Sequence, residues 1–348
     1  MMRNIPPVRV PWPAPQRNEL PVLPVFLPFF GCPSRCIFCA QHTQTGQGVL
    51  PLSFLLAQAR ERLSARRARG LGPVELAFFG GTFTAVPEEH QRACLAVASA
   101  GLRDGSVASL RCSTRPDSLS DAALERLCAA GGSTVELGVQ SFDDTALRAA
   151  RRGYSGATAL RACAHLRTHG LHCGVQLMPG MPGVTPAIFL DDVRRALDAG
   201  AACLRFYPCL VLRGTELEQL YNAGGYTPWP LETTLETLAQ GWLLARDARV
   251  PVIRMGLAPE AGLEQAIAAG PSHPALGAEV QALALLARVR QALRHAGGSR
   301  ITALSVPRCA QGCFWGHGKR LTPAWAALGL PPARVRWTDQ DFVELQAE

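Results

Sequence analysis

The stretch Phe30-Gly31-Cys32-Pro33-Ser34-Arg35-Cys36-Ile37-Phe38-Cys39-Ala40-Gln41 sets three cysteines within eight residues, directly after the apolar, strand-like run 22–29. Three thiolates separated by three and two residues, in a loop that leaves a strand, can converge on one inorganic centre. A closed structural zinc site or ferredoxin-type cluster takes four protein ligands. Three leave one metal position for something exogenous. Spacing alone admits zinc, completed by His42 or a distant cysteine, as readily as an iron–sulfur cluster.

Outward from this loop the chain alternates. Strand-like runs fall at 22–29, 74–79, 109–113, 134–139, 172–178 and 203–207. Helix-like segments lie between them at 53–69, 87–100, 120–130, 143–169 (broken at Gly153) and 186–199. Ser120, Asp143 and Ser155 are suited to N-caps, and Pro87 and Pro186 to first helical turns. This rhythm predicts βα units on a parallel sheet. Counting does not separate a six-stranded open barrel from a doubly wound sheet, but both put active residues in loops after the strands' carboxyl ends. Those ends read Gly31-Cys32, Gly80-Gly81-Thr82, Ser113-Thr114-Arg115, Gln140-Ser141, Pro179-Gly180 and Pro208. Beyond 210 the rhythm changes to helix-like 231–248, a short strand at 251–255 and helix-like 274–296. The expected organisation is a Pro-rich segment 1–21 running over the surface, a core 22–210, and a smaller mixed α/β extension 211–348.

Composition bounds the reading. The 348 residues are 48% apolar and 18% charged, enough to bury a sizeable core and too apolar for disorder. No run of eighteen apolar residues occurs, and Pro21, Pro24 and Pro28 interrupt the most apolar early stretch. A cytoplasmic protein without membrane contact is expected. Lys and Arg number 35 against 27 Asp and Glu, a net charge of +8, with Lys319 the only lysine. The excess is compatible with a polyanionic partner, and the arginine bias equally with GC-rich coding. Twelve cysteines without an export signal are expected as thiols or metal ligands. Cys94, Cys112, Cys128, Cys163, Cys173 and Cys203 read as small core residues.

With Phe38 directly before the third cysteine, the triplet resembles the C-x3-C-x-aromatic-C signature of the radical S-adenosylmethionine (SAM) superfamily, over about residues 22–208. The resemblance implies a partial (βα)6 barrel. It implies a [4Fe–4S] cluster held by Cys32, Cys36 and Cys39, with the amino and carboxylate groups of SAM on the fourth iron. Reductive cleavage of SAM then gives methionine and a 5′-deoxyadenosyl radical that abstracts a substrate hydrogen. The cofactor-binding positions it implies are Phe38, Gly80, Gly81, Thr82, Ser113, Arg115, Gln140, Arg152 and Gln176. The glycine turn receives the SAM amino group, with Thr82 where Glu is common. Arg115 or Arg152 offers a guanidinium fork to the SAM carboxylate, and Ser113 and Gln140 offer hydrogen bonds to its ribose or amino-acid part. No residue is assigned a catalytic role.

The wording around these positions is narrower still. Phe78 to Thr84, Thr114-Arg115-Pro116-Asp117, Gly138-Val139-Gln140-Ser141, Arg151-Arg152-Gly153, Gln176 to Gly180 and Arg205 to Thr215 resemble the catalytic subunit of Elongator and its short bacterial relatives. This implies modification of the wobble uridine of tRNA, with tRNA and an electron donor such as ferredoxin or flavodoxin as partners. The roughly 140 residues after the barrel are too few for the helical extension and acetyltransferase domain of that subunit, so its acyl-transfer half is expected to be absent. Two alternatives stand beside this reading. One is a radical SAM enzyme acting on a small molecule or protein, and the other a non-catalytic, zinc-binding RNA-binding protein.

Weaker signals lie near the C-terminus. Cys309-x3-Cys313 with His317 is an incomplete metal set. Gly316-His317-Gly318-Lys319 lacks the earlier glycine and the Ser/Thr of a phosphate loop. Phe314, Trp315, His317, Lys319 and Arg320 interleave aromatic and basic residues, either as a stacking surface for single-stranded nucleic acid or as a packed tail. Arg60, Arg62, Arg66, Arg67 and Arg69 read as a solvated helix end. His273 either faces a pocket or caps the following helix.

Overall fold

The computed structural model describes residues 7–12, 20–33, 35–41, 50–257, 262–295 and 301–347. The chain divides into two compact units, residues 18–234 with 245–272, and residues 1–17 with 235–244 and 273–348. Strand β1 (Val8–Pro11) belongs to the smaller unit.

The larger unit is built on a seven-stranded parallel sheet. Its strands are β2 (Val22–Phe26), β3 (Val74–Phe79), β4 (Val107–Thr114), β5 (Gly132–Gln140), β6 (His172–Leu177), β7 (Cys203–Phe206) and, after the two-residue β8 (Val211–Leu212), β9 (Val252–Met255). Each strand of the sheet lies beside its predecessor. The order never reverses, which excludes a doubly wound sheet and leaves the singly wound, curled sheet of a partial barrel. The six expected βα strands are present, and 252–255 is a correction. The sequence reading placed it in a C-terminal layer, but it pairs in parallel with β7 as the seventh strand. A four-residue run carries no signal of which sheet it will join.

The intervening helices are α1 (Leu52–Ala68), α2 (Glu88–Arg103), α3 (Asp121–Ala129), α4 (Asp144–Ala149), α5 (Gly156–Thr168) and α6 (Pro186–Asp198). Ser120, Asp143 and Ser155 cap α3, α4 and α5 by accepting from the N–H groups of Ala123, Ala146 and Thr158, satisfying donors that the first turn leaves free. Pro186 opens α6, while Pro87 precedes α2 as an extended cap residue. Strands covered on both faces read as continuous apolar runs, and Leu76, Ala77, Phe78, Val135, Leu137 and Val175 are buried accordingly.

In the smaller unit a four-stranded sheet has the order β1-β13-β11-β12, with β11 (Ile301–Pro307), β12 (Val335–Thr338) and β13 (Phe342–Ala347). β10 (Ile267–Ala269), in the larger unit, pairs with β8. Residues 8–11 fall in the Pro-rich segment expected to run over the surface. They form an edge strand antiparallel to β13, where Pro11 costs no ladder bond because only one side is paired. Residues 13–19 lie outside the described residues.

Candidate active site

A cavity of about 600 Å³ opens within the larger unit. Cys32, Cys36 and Cys39 line it together with Phe38, Gly80, Gly81, Thr82, Ser113, Arg115, Gln140, Arg152 and Gln176. All twelve positions drawn from the sequence thus meet in one space. The loops after β2, β3, β4, β5 and the end of β6 converge there because the strands are parallel and their carboxyl ends share one rim.

The cysteine loop is held by the glycine turn behind it. Thr82 donates its backbone N–H to the Phe30 carbonyl at 2.7 Å, and Gly81 N–H donates to Gln41 Oε1 at 3.0 Å. Gly81 has φ +60°, and a Cβ there would stand 2.2 Å from the Phe30 carbonyl oxygen; one on Gly31 would stand 2.4 Å from that of Thr82. Neither position tolerates a side chain without moving the other loop. The glycine turn therefore also serves as the surface against which the cysteine loop packs. Thr82 is buried and sets its hydroxyl 3.4 Å from Cys32 Sγ.

The two arginines take different parts. Arg152 is 4% exposed. It donates to Cys36 Sγ at 2.8 Å and to the Tyr154 hydroxyl at 2.9 and 3.0 Å, with a further contact to the Gly138 carbonyl. Burial opposes its charge, but Tyr154 and Cys36 hold the guanidinium above the ordinary arginine range. Arg115 spends its fork on Asp117, at 2.9 and 2.7 Å, and on the Arg152 carbonyl, with Nη1 3.9 Å from Cys36 Sγ. Both guanidiniums thus lean on Cys36. Burial pushes the Cys39 thiol up to about 12, reinforced by the other two sulfurs, and raises Cys32 as well. A metal centre must therefore displace protons to bind, and its charge would reverse the balance.

Donor chemistry favours a cluster over a single ion. A closed zinc site takes four protein ligands, whereas this loop supplies three thiols, a set that suits a cluster with one iron left open. His42 lies outside the described residues.

Gln140 is 5% exposed and sits in a left-handed conformation, φ +67°, where the β5–β6 register breaks. Its Oε1 accepts from Gln176 at 3.3 Å, so both amides reach the cavity together. Ser141, its neighbour, turns away and donates to Asp192 at 2.7 Å; Asp192 also accepts the Phe142 N–H at 2.7 Å. Burial pushes Asp192 up to about 7.

The sequence reading missed the cavity's charged wall. Arg111 bridges Glu75 (2.9 Å) and Glu136 (2.7 Å), Arg205 pairs with Glu136 at 2.6 and 2.8 Å, and Arg205 also donates to Tyr207 at 2.9 Å. Burial disfavours both arginine charges, but Glu136, with Glu75 at Arg111, holds them above the ordinary range. Two acids and two bases neutralise each other, the condition under which buried charge is tolerable. The signal was present: Val74-Glu75-Leu76, Leu110-Arg111-Cys112, Val135-Glu136-Leu137 and Leu204-Arg205-Phe206 each set one charge in an apolar strand. Cys209, also missed, is buried and lines the cavity.

The C-terminal candidates do not assemble. Phe314 is fully buried, stacked on Trp325 at 4.3 Å and edge-on to Trp337 at 5.4 Å, as the packed-tail alternative expects, while His317, Lys319 and Arg320 stay exposed. Arg320 and the His317 N–H are both bound to buried Glu279. Cys309 and Cys313 join no three-ligand group among the described residues. His273 accepts the Ala275 N–H at 3.1 Å, a cap. On α1, Arg62 donates to the Pro24 carbonyl, Arg66 to that of Gly72, and Arg67 pairs with Asp104, all at the exposed surface, as a solvated helix end would.

Residues 26–196 match the radical SAM superfamily and residues 201–285 the Radical_SAM C-terminal domain. A tRNA uridine(34) acetyltransferase of Dehalococcoides mccartyi is 30% identical over 241 residues, covering 60% of this chain and 52% of the relative. Elongator complex protein 3 of Schizosaccharomyces pombe is 25% identical over 232 residues, covering 58% and 43%. The chain spans about half the length of these relatives. In fold it resembles the archaeal Elp3 of Methanocaldococcus infernus, with a TM-score of 0.59 at 23% identity over 80% of this chain and 63% of that one. No helix among the described residues is long and apolar enough to cross a membrane. Both matched segments contribute strands to the sheet whose rim carries the three thiols, and the chain belongs to the radical SAM superfamily.

Proposed function

We propose that this radical SAM enzyme modifies a base of tRNA, in the cytoplasm, drawing electrons from a ferredoxin- or flavodoxin-type donor. The observation that carries the substrate is the likeness to tRNA uridine(34) acetyltransferases, at 30% identity. The net charge of +8 suits a polyanion.

Within the cavity Cys32, Cys36 and Cys39 would hold a [4Fe–4S] cluster. When bound, cluster and SAM supply a one-electron cleavage of the sulfonium that starts radical chemistry. The chain's own residues do the rest. Gly31 and Gly81 let two loops close against each other, which fixes the thiols. Arg152 and Arg115 put positive charge beside Cys36. Gln140 and Gln176 present amides to a polar ligand, and Phe38 and Phe79 supply apolar wall that limits water. Opposite charges on Arg111, Glu136 and Arg205 hold one another rigid, so Tyr207 and the guanidiniums can orient a polar substrate without reorganising.

A base reaching such a cavity must leave its stack, which favours unpaired loops over duplex. Phosphate contacts must contribute, so affinity falls steeply with salt. The test is anaerobic purification, cluster reconstitution, and SAM cleavage with a chemical reductant, with and without tRNA, followed by mass analysis of the nucleosides. Faster cleavage with tRNA and a new nucleoside mass are expected. Robust cleavage indifferent to tRNA, with no mass change, would assign a small-molecule or protein substrate instead.

A further inference from the structure

Two helices on the outside of the barrel carry a cluster that the radical chemistry does not use. Asp121 opens α3, and His165 and His169 lie one turn apart at the end of α5, on the same face. Asp121 Oδ1 is 2.6 Å from His165 Nε2 and 3.5 Å from His169 Nε2. The two rings meet edge to face, 4.9 Å between centroids. One ligand atom from each residue falls within 4.8 Å of the other two, the sole such trio of His, Cys, Asp or Glu among the described residues.

The hydrogen bonding of His169 is the second observation. Its Nδ1 lies 3.0 Å from the His165 carbonyl oxygen, an acceptor that also takes the Thr168 hydroxyl at 2.8 Å. Nδ1 must therefore carry the proton, and in the neutral ring Nε2 is a bare lone pair. That lone pair faces the Asp121 carboxylate, another acceptor. A carbonyl that fixes the far nitrogen of a histidine, leaving the near one aimed at a shared point, is the outer-shell arrangement of metal-ligating imidazoles.

We propose that Asp121, His165 and His169 form a binding site for a divalent ion of the zinc class, separate from the thiolate site and joining α3 to α5. Two imidazoles and one carboxylate suit Zn²⁺, Co²⁺ or Ni²⁺ better than Ca²⁺ or Mg²⁺, which take oxygen ligands. Zn–N and Zn–O distances of about 2.0–2.2 Å call for ligand atoms about 3–3.5 Å apart. The observed separations from Asp121 Oδ1, 2.6 and 3.5 Å, bracket this range. The side chains are 72%, 32% and 21% exposed for Asp121, His165 and His169, so the ion can arrive from solvent and keep water in its remaining positions. Binding to the folded state alone makes the ion a clamp between the helices.

The experiment uses untagged, cluster-loaded protein titrated anaerobically with Zn²⁺ alone by calorimetry, beside His169→Ala, His165→Gln and Asp121→Asn. One Zn²⁺ per chain is expected, with affinity at least tenfold weaker in each variant and a metal-induced rise in melting temperature lost with it. A parallel Co²⁺ titration should give d–d absorption without thiolate-to-cobalt charge transfer. Melting in the absence of metal verifies that the variants, all at partly exposed positions, are folded. Zn²⁺ binding unchanged in His169→Ala, thiolate charge transfer with Co²⁺, or no binding at all would overturn the site. The trio would then be an ion pair between helices.

Discussion

The rim of the barrel and the segment 309–320 present the same chemical vocabulary, cysteines four residues apart beside aromatic and basic side chains, and the fold uses them oppositely. At the rim, Cys36 receives Arg152 at 2.8 Å and faces a cavity shared by loops from five strands. In the C-terminal segment Phe314 disappears between Trp325 and Trp337, Arg320 is taken by Glu279, and Cys313 donates to the Ala310 carbonyl at 3.4 Å. A set of reactive residue types becomes a site only where the backbone brings several loops to one point and leaves volume between them. Without that convergence the same residues satisfy each other locally and become packing.

The sharpest way to break this contrast is to remove thiols from both regions. Cys36→Ala should abolish cluster assembly, read as iron and sulfide per chain after anaerobic reconstitution, because it deletes one of three iron ligands. Cys313→Ala should leave iron content unchanged. Iron lost from the second variant would mean that segment holds metal after all.

Next in size is the packing of the aromatic core. Phe314→Ala should cost about 3–5 kcal/mol in stability of the smaller unit, the usual penalty for emptying a buried aromatic site. Denaturant unfolding measures it. Little loss would show that Phe314 is not serving as core, and would reopen its availability to a ligand.

A smaller effect is expected at Arg152. Replacing it by Lys keeps the charge but cannot reproduce three simultaneous contacts to Cys36, Tyr154 and Gly138. Loss of a charged hydrogen bond costs about 1.5–3 kcal/mol, here in the fit of the cysteine loop around its centre. A redox titration should show the potential displaced by on the order of tens of millivolts, since hydrogen bonds to cluster sulfurs help set it. An unmoved potential with a weakened fold would assign Arg152 to the support of the Gly138–Tyr154 loop alone.

The smallest concerns Asp192, whose pKa burial raises to about 7. Between the ordinary aspartate range near 4 and about 7, the unfolded chain has released this proton and the folded chain retains it. Stability therefore falls as pH rises through that window and levels off above it. Asp192→Asn should flatten the slope, seen in denaturation midpoints at pH 5, 6 and 7. An identical slope in the variant would mean that the carboxyl is charged in the folded state.

Much of this was legible beforehand. The βα rhythm, the caps at Ser120, Asp143 and Ser155, and the three thiols follow from local pattern, because helix capping and strand burial depend on residues close in sequence. The twelve expected site positions share one cavity because each lies at the carboxyl end of a parallel strand or in the connection that leaves it, and a parallel sheet gathers those ends whatever the spacing between them. Distance in the chain hid the rest. Glu75, Arg111, Glu136 and Arg205 each look like an isolated charge in its own strand, and only their side-by-side strands turn four liabilities into a balanced network. The seventh strand, the burial of Phe314, and the meeting of Asp121 with His165 and His169 were likewise decided by tertiary contact. Short segments and single polar residues carry too little local preference to name their partners; the enclosing fold supplies them.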